Sequence, residues 1–101
     1  MKSLLWVFLA VVGTQADGEK LFKSRCAMCH GQDGKGSPSI AKLMKVEFKS
    51  MSSDYVQQKS DAEITEIITK GKNKMVPVRG LNPGQIEEVI AYLRSLRSRD
   101  D

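Results

Sequence analysis

The motif Cys26-Ala-Met-Cys29-His30 constrains this chain more than any other feature of its sequence. The chain has two cysteines and one histidine in its 101 residues, and all three lie within these five positions. Two thiols three residues apart can both add to the vinyl groups of one haem, and the histidine that follows is then placed to ligate the iron. The motif therefore predicts one haem c, bound covalently through two thioether bonds to Cys26 and Cys29, with His30 as an iron ligand.

Three other interpretations of the motif stay open at this point. A thioredoxin-like redox pair would require a βαβ framework, whereas the rest of the chain indicates helices. A zinc site needs four ligands, and two cysteines with one histidine supply only three. A structural disulfide between Cys26 and Cys29 would close so short a loop that it would add little stability.

The first sixteen residues have the layout of a secretory signal peptide. One lysine precedes an apolar run over residues 4–12, and small or polar residues follow as far as Ala16. The run is shorter than the roughly 20 apolar residues that a membrane-spanning helix requires. We therefore predict that residues 1–16 are a signal peptide that is removed, and that residues 17–101 form one domain, without a membrane span, in the bacterial periplasm. A buried or anchoring N-terminal helix is the alternative.

Composition limits both the size of the core and the choice of partner. The chain is 41% hydrophobic and carries a formal net charge of +4, and removal of residues 1–16 lowers both values. A domain this small usually needs a disulfide, a metal or a cofactor to complete its core. The weak positive charge, without a basic block that carries interleaved aromatic residues, argues against nucleic acid as a partner.

At the start of the predicted domain, local sequence signals predict a helix before the motif and a loop after it. We predict a first helix from about Gly18 to Cys26, with Asp17 as its N-cap. A loop follows over residues 31–38, which contain three glycines and a proline. Residues 39–59 have apolar side chains without a clean period, so their structure stays ambiguous.

The later helices have stronger signals. Ser60 and Glu63 form a capping box at the start of one helix, and Gly71 supplies its C-terminal stop. Asn82 caps the last helix, in which a proline occupies the first position and apolar residues recur at helical spacing over residues 86–96. No segment has a convincing strand pattern.

The CAMCH motif, the glycine-rich loop after it, a later Lys-Met pair and a final Tyr-Leu-Arg-Ser-Leu helix together resemble a class I c-type cytochrome of the small bacterial monohaem type. The resemblance covers residues 17–98. It implies an all-α fold, the small cytochrome c fold of three to five helices wrapped around one covalently attached haem, with the first and last helices crossing. Gly18 would let the last helix approach closely. Phe22 would pack against Tyr92 or Leu93.

The resemblance also implies two further site residues. Met75 resembles the family's distal iron ligand, although here a valine stands between it and the proline that commonly follows directly. Met44 and Met51 stay as alternative ligands. Pro38 matches a position whose backbone carbonyl accepts a hydrogen bond from the proximal imidazole, and that contact would fix the tautomer of His30.

The function that the resemblance implies is one-electron transfer. With His30 and Met75 on the iron, the protein would be a soluble periplasmic electron carrier and not an enzyme. Its partners would be redox proteins, with a dehydrogenase or reductase as donor and an oxidase or another acceptor. Three lysines lie within five residues of Met75, namely Lys70, Lys72 and Lys74. They predict a border of positive charge along the exposed edge of the haem, where partners would dock. A haem c subunit of a dedicated oxidoreductase complex, and a ligand-binding or peroxidase-like haem protein, are the alternatives.

Overall fold

The computed structural model describes residues 14–98 of the chain. Within this range the protein is helical, and its one β-type contact is an isolated bridge between Lys72 and Met75. The described part contains six α-helices, two of them single turns of four residues, and this confirms the predicted all-α fold. The helices are α1 (Gln15–Arg25), α2 (Ala27–His30), α3 (Pro38–Met44), α4 (Asp54–Gln57), α5 (Asp61–Lys70) and α6 (Pro83–Ser95), and a 3₁₀ turn follows (Leu96–Ser98).

Helix α1 begins three residues earlier than predicted. Thr14 is its N-cap, and the threonine hydroxyl accepts a hydrogen bond of 3.1 Å from the Asp17 backbone N–H. The prediction that Asp17 caps this helix is therefore wrong, because Asp17 lies inside the first turn, where its carboxylate suits the helix dipole. The signal peptide predicted over residues 1–16 falls largely outside the described residues and stays a prediction.

The capping signals of α5 and α6 are both confirmed. In α5 the Ser60 hydroxyl accepts from the Glu63 N–H at 3.1 Å, and the Glu63 carboxylate accepts from the Ser60 N–H at 2.8 Å. Asn82 and Gln85 form the same reciprocal pair at the start of α6. Gly71 ends α5 with a φ of +79°, a backbone conformation that favours glycine.

Helices α1 and α6 cross in close contact, and Gly18 makes that contact possible. A Cβ atom on Gly18 would lie 1.8 Å from the Glu88 carbonyl oxygen, so no side chain fits there. One turn further along α1, the fully buried Phe22 ring packs against Tyr92 with the ring centroids 5.5 Å apart. The predicted crossing of the first and last helices is confirmed.

The ambiguous middle segment, residues 39–59, contains most of α3 and all of α4. In this segment Val56 and Gln57 are buried, whereas no residue of α3 is buried. An apolar period appears in a sequence when one face of a long helix is buried. Because both helices are shorter than two full turns, their sequence has no such period.

The core lies between the two crossing helices and α5. Its members are the buried apolar residues Phe22, Ala27, Ile64, Ile68, Ile86, Val89, Ile90, Tyr92, Leu93 and Leu96. Across the described range 14–98, none of the helices combines the length and the apolar composition that crossing a membrane would need.

Candidate functional site

The two cysteines and the histidine lie together at the turn between α1 and α2. Cys26 ends α1, with its N–H donating to the Phe22 carbonyl at 2.8 Å, and its own carbonyl accepts from the His30 N–H at 3.0 Å. The short helix α2 thus spaces Cys26, Cys29 and His30 at i, i+3 and i+4, which is one face of a helix. Burial raises the pKa of the Cys26 thiol to about 11, against the opposing effect of the Arg25 guanidinium.

His30 lies half-buried between two aromatic rings. The ring centroid of Phe48 is 5.6 Å away and that of Phe22 is 6.5 Å away. Burial lowers the pKa of His30 below its ordinary value, which keeps the imidazole neutral and able to ligate a metal. Its Nδ1 atom is buried and has no hydrogen-bond partner among the described residues.

A crevice in two parts opens beside this histidine. One cavity has a volume of about 320 Å³ and the other about 650 Å³. Both are mainly apolar, and they share six lining residues, so we treat them as two parts of one crevice. The shared residues are Cys26, His30, Glu47, Phe48, Asn73 and Met75.

A short closed turn brings Met75 to this crevice. The N–H of Lys72 donates to the Met75 carbonyl at 2.9 Å, and the N–H of Met75 donates to the Lys72 carbonyl at 2.8 Å. The turn begins at Gly71, where a Cβ atom would lie 2.5 Å from the Met75 oxygen. Of the methionines in residues 14–98, Met75 alone lines both parts of the crevice.

The other methionines lie in different places. Met44 lines only the larger cavity and Met51 only the smaller one. Met28 is 78% exposed and lines neither. The structure therefore brings Met75 together with His30 more completely than any of the alternatives that the sequence left open, and its ligation of the iron stays a prediction.

Pro38 is the first residue of α3 and follows the glycine-rich loop that folds back on the motif. The N–H groups of Gly36 and Ser37 donate to the carbonyls of His30 and Cys29 at 2.7 Å and 2.9 Å. The predicted hydrogen bond from the imidazole to the Pro38 carbonyl is absent from this structure, since His30 Nδ1 has no partner among the described residues. Whether that bond forms around bound haem stays a prediction.

The predicted lysine border divides between the two parts of the crevice. Lys72 lines the smaller cavity and Lys74 the larger one, where the Lys74 ammonium also donates to the Met44 carbonyl at 2.8 Å. Lys70 lines neither part and pairs with Glu66 at 3.3 Å.

Sequence reasoning missed several residues that line the smaller cavity. The Tyr55 ring lies there with two lysines over it, Lys59 at 4.3 Å and Lys49 at 5.4 Å from the centroid. Phe48 was also missed, although it is a lone aromatic residue in a polar stretch and that isolation was the available signal. The positions of these side chains in the cavity depend on the path of residues 39–59, whose structure the sequence left ambiguous.

The comparisons with known proteins agree with this arrangement. The family model described as cytochrome c matches residues 15–97, and the chain therefore belongs to the cytochrome c family. Within that family it has the features of a class I c-type cytochrome. Among solved structures it is similar to the c-type cytochrome KustC0563, with a TM-score of 0.60 and 28% identity over 84% of this chain and 99% of that one.

Among characterised proteins, the chain is similar to subunits of cbb3-type cytochrome c oxidases. It is 32% identical over 84 residues to subunit CcoP of Rubrivivax gelatinosus, and 29% identical over 82 residues to subunit FixP of Azorhizobium caulinodans. These alignments cover 80% and 78% of this chain. The chain spans about a quarter of the length of these relatives, 25% and 26% respectively.

The residues of the crevice fit a haem. The buried Nδ1 of His30 without a partner, two thiols at the spacing of the attachment motif and a mainly apolar crevice together supply what a covalently bound haem needs. Cys26 and Cys29 are not joined to each other in this structure, which leaves both sulfur atoms for thioether bonds to a haem. For the zinc alternative, residues 14–98 hold no group of three or more His, Cys, Asp or Glu side chains arranged for a metal ion. The chain is a cytochrome c domain that carries one covalent haem c for electron transfer.

Proposed function

We propose that this chain is a soluble periplasmic one-electron carrier in which His30 and Met75 are the two axial ligands of the haem iron. The observation that carries the proposal is that these two side chains together line both parts of the crevice. The haem c supplies reversible exchange of one electron between the ferrous and ferric states. A thioether ligand stabilises the ferrous state, which raises the reduction potential.

The same arrangement supports a carrier over an enzyme. A protein that fills both axial positions with its own side chains leaves no position on the iron for a substrate. His30 is held by the α2 turn, and Met75 by the closed turn with Lys72. Each ligand therefore comes from a short segment that local hydrogen bonds define, so we propose that neither is displaced during electron transfer.

Ligation is tested by truncating each methionine of the crevice in turn. Met75→Ala should abolish the sulfur-to-iron charge-transfer band of the ferric protein and lower the reduction potential. It should also allow carbon monoxide to bind the ferrous form. Met44→Ala and Met51→Ala are the matched controls and should keep the band. Loss of the band in either control, with Met75→Ala unaffected, would contradict the assignment and favour a different distal ligand. Carbon monoxide binding to the unmodified protein would favour the ligand-binding haem protein instead.

A second candidate function is that of a haem c subunit in an oxidoreductase complex. The relatives named as subunits of cbb3-type oxidases favour it, as do the exposed apolar side chains of Met28, Leu43 and Val76, with 78%, 77% and 73% exposure. The two candidates differ in where the haem protein is found. A free carrier should be released from the cells with the periplasmic contents and should sediment as a monomer. Its mass should equal that of one haem attached to a polypeptide that begins at Asp17. A subunit should remain with a larger membrane-associated complex.

A further inference from the structure

The segment over residues 51–59 forms one wall of the smaller cavity. Met51, Tyr55, Val56 and Lys59 all line that cavity, as does His30. Within the segment, Val56 is the one apolar side chain that is buried. Met51 is partly buried against the core, and one buried valine with one partly buried methionine removes little apolar surface from water, so burial alone holds this wall weakly.

A buried amide ties the segment to helix α6. Gln57 is the one buried polar side chain among residues 14–97, with 7% exposure. Its Nε2 atom donates both hydrogens, one to the Met51 carbonyl and one to the Leu93 carbonyl, each at 2.8 Å. The amide therefore joins the beginning of the segment to the last helix across 36 positions of sequence.

The guanidinium of Arg94 secures the other end of the segment. Its Nη1 donates to the Gln57 carbonyl at 2.9 Å, and its Nη2 donates to the Lys59 carbonyl at 2.7 Å. Nη2 also pairs with an Asp61 carboxylate oxygen at 2.7 Å. Gln57 is the last residue of α4, and the last carbonyls of a helix lack partners within that helix, so the planar guanidinium supplies a donor to the Gln57 carbonyl here.

The glycine-rich loop also holds the segment, through a contact at Met51. The Met51 N–H donates to the Gly34 carbonyl at 2.8 Å. Gly34 has a φ of +80°, and a Cβ atom there would lie 3.2 Å from the Met51 side chain. The loop that follows the haem motif, the cavity wall and helix α6 therefore form one connected arrangement, in which Gln57 and Arg94 make the links to α6.

We propose that Gln57 and Arg94 are positioning residues that hold the 51–59 wall closed over the haem and thereby keep its reduction potential high. The inference rests on the electron-carrier function proposed above. Water that enters beside a haem stabilises the ferric state, which carries the additional positive charge, and so lowers the potential. A wall held mainly by polar links opens when those links are removed, and the potential then falls although neither residue lines the crevice.

The first test compares Gln57→Leu with Gln58→Leu in the haem-containing protein. Leucine has a similar volume and removes the two donated hydrogen bonds, and Gln58 is the exposed neighbour with the same side chain. We expect Gln57→Leu to lower the reduction potential and to speed amide hydrogen exchange in the 51–59 segment by about tenfold or more. Gln58→Leu should match the unmodified protein in both measurements.

Arg94→Lys provides a second variant, which keeps the positive charge and removes the planar guanidinium with its two donor nitrogens. A lysine ammonium cannot reproduce the planar geometry that reaches all three acceptors, so we expect a smaller fall in potential in the same direction. Arg97→Lys, at an exposed position of the 3₁₀ turn that follows, is its control. If Gln57→Leu does not accumulate as a folded protein, this pair decides the question alone.

The outcomes separate this inference from the function on which it rests. Faster exchange with an unchanged potential in both Gln57→Leu and Arg94→Lys would show a structural role only and would overturn the proposal. An equal fall in potential in the control variants would also overturn it. Absence of the sulfur-to-iron charge-transfer band from the unmodified protein would instead contradict the assignment of Met75 as a ligand. The comparison of reduction potentials between variants and controls would still be valid.

Discussion

Replacement of Gly18 by alanine sets two physical effects against each other. Gly18 lies in the interior of α1, where alanine is the better helix former by about 1 kcal/mol. Its missing Cβ is also the space that the Glu88 carbonyl of α6 occupies, because a Cβ atom there would lie 1.8 Å from that oxygen. Helix propensity alone predicts a more stable protein, and packing predicts a less stable one.

The size of the clash decides the sign. An ordinary contact between carbon and a carbonyl oxygen is about 3.3 Å, so the two helices would have to move apart by roughly 1.5 Å. Phe22 and Val89, both 1% exposed, lie in the same interface and would lose packing contacts. Overpacking of a core costs about 1–3 kcal/mol, and more when backbone must move. We expect a net loss of about 2 kcal/mol after the propensity gain, which is a large fraction of the 5–15 kcal/mol typical of a domain.

The measurement is urea unfolding of the haem-containing protein, followed by the Soret absorbance. A loss of about 2 kcal/mol should lower the midpoint by roughly 1 M when the slope is near 2 kcal/mol/M. Gly84→Ala is the matched control, since Gly84 also lies in a helix and the nearest atom to its Cβ would be the Asn82 side-chain oxygen at 3.4 Å. The control should be as stable as the unmodified protein or more so. A Gly18→Ala midpoint at or above the unmodified one would refute the close crossing.

Two further predictions concern charge. The double variant Lys72→Glu with Lys74→Glu should slow the reaction with an acidic redox partner and make its rate less dependent on salt, because both lysines line the crevice. The control variant Lys70→Glu should have less effect, since Lys70 does not line the crevice. Equal rates for all variants across a salt series would show that the partner docks elsewhere. The hydrogen bond from the Ser60 backbone N–H, against a smaller opposing effect of desolvation, holds the pKa of Glu63 below its ordinary value of 4.5. The stabilisation by this carboxylate is therefore present above pH 4.5 and lost as the pH falls through the lowered pKa, so the advantage of the unmodified protein over Glu63→Gln should shrink as the pH is lowered below 4.5. Parallel thermal midpoints over that range would contradict it.

The features that the sequence determined by itself are those decided within a few residues. The haem motif needs two thiols and a histidine within five positions, and one helical turn places them on one side. The two capping boxes each depend on a pair of residues three positions apart. The start of α1 depends on a local cap as well, but the threonine that forms it lies within the predicted signal peptide, and for that reason the sequence analysis placed the start too late.

Tertiary structure decided what distant segments do to one another. Sequence left three methionines open as distal ligand, and the path of the chain brings Met75 to both parts of the crevice that His30 lines. Gln57 and Gln58 are neighbours with identical side chains, yet one is buried with two carbonyl partners and the other is exposed. No local signal distinguishes them, because the partner that matters is a carbonyl of α6 36 positions away. The free energy of such a contact depends on where the whole chain has already folded, so only the folded structure reveals it.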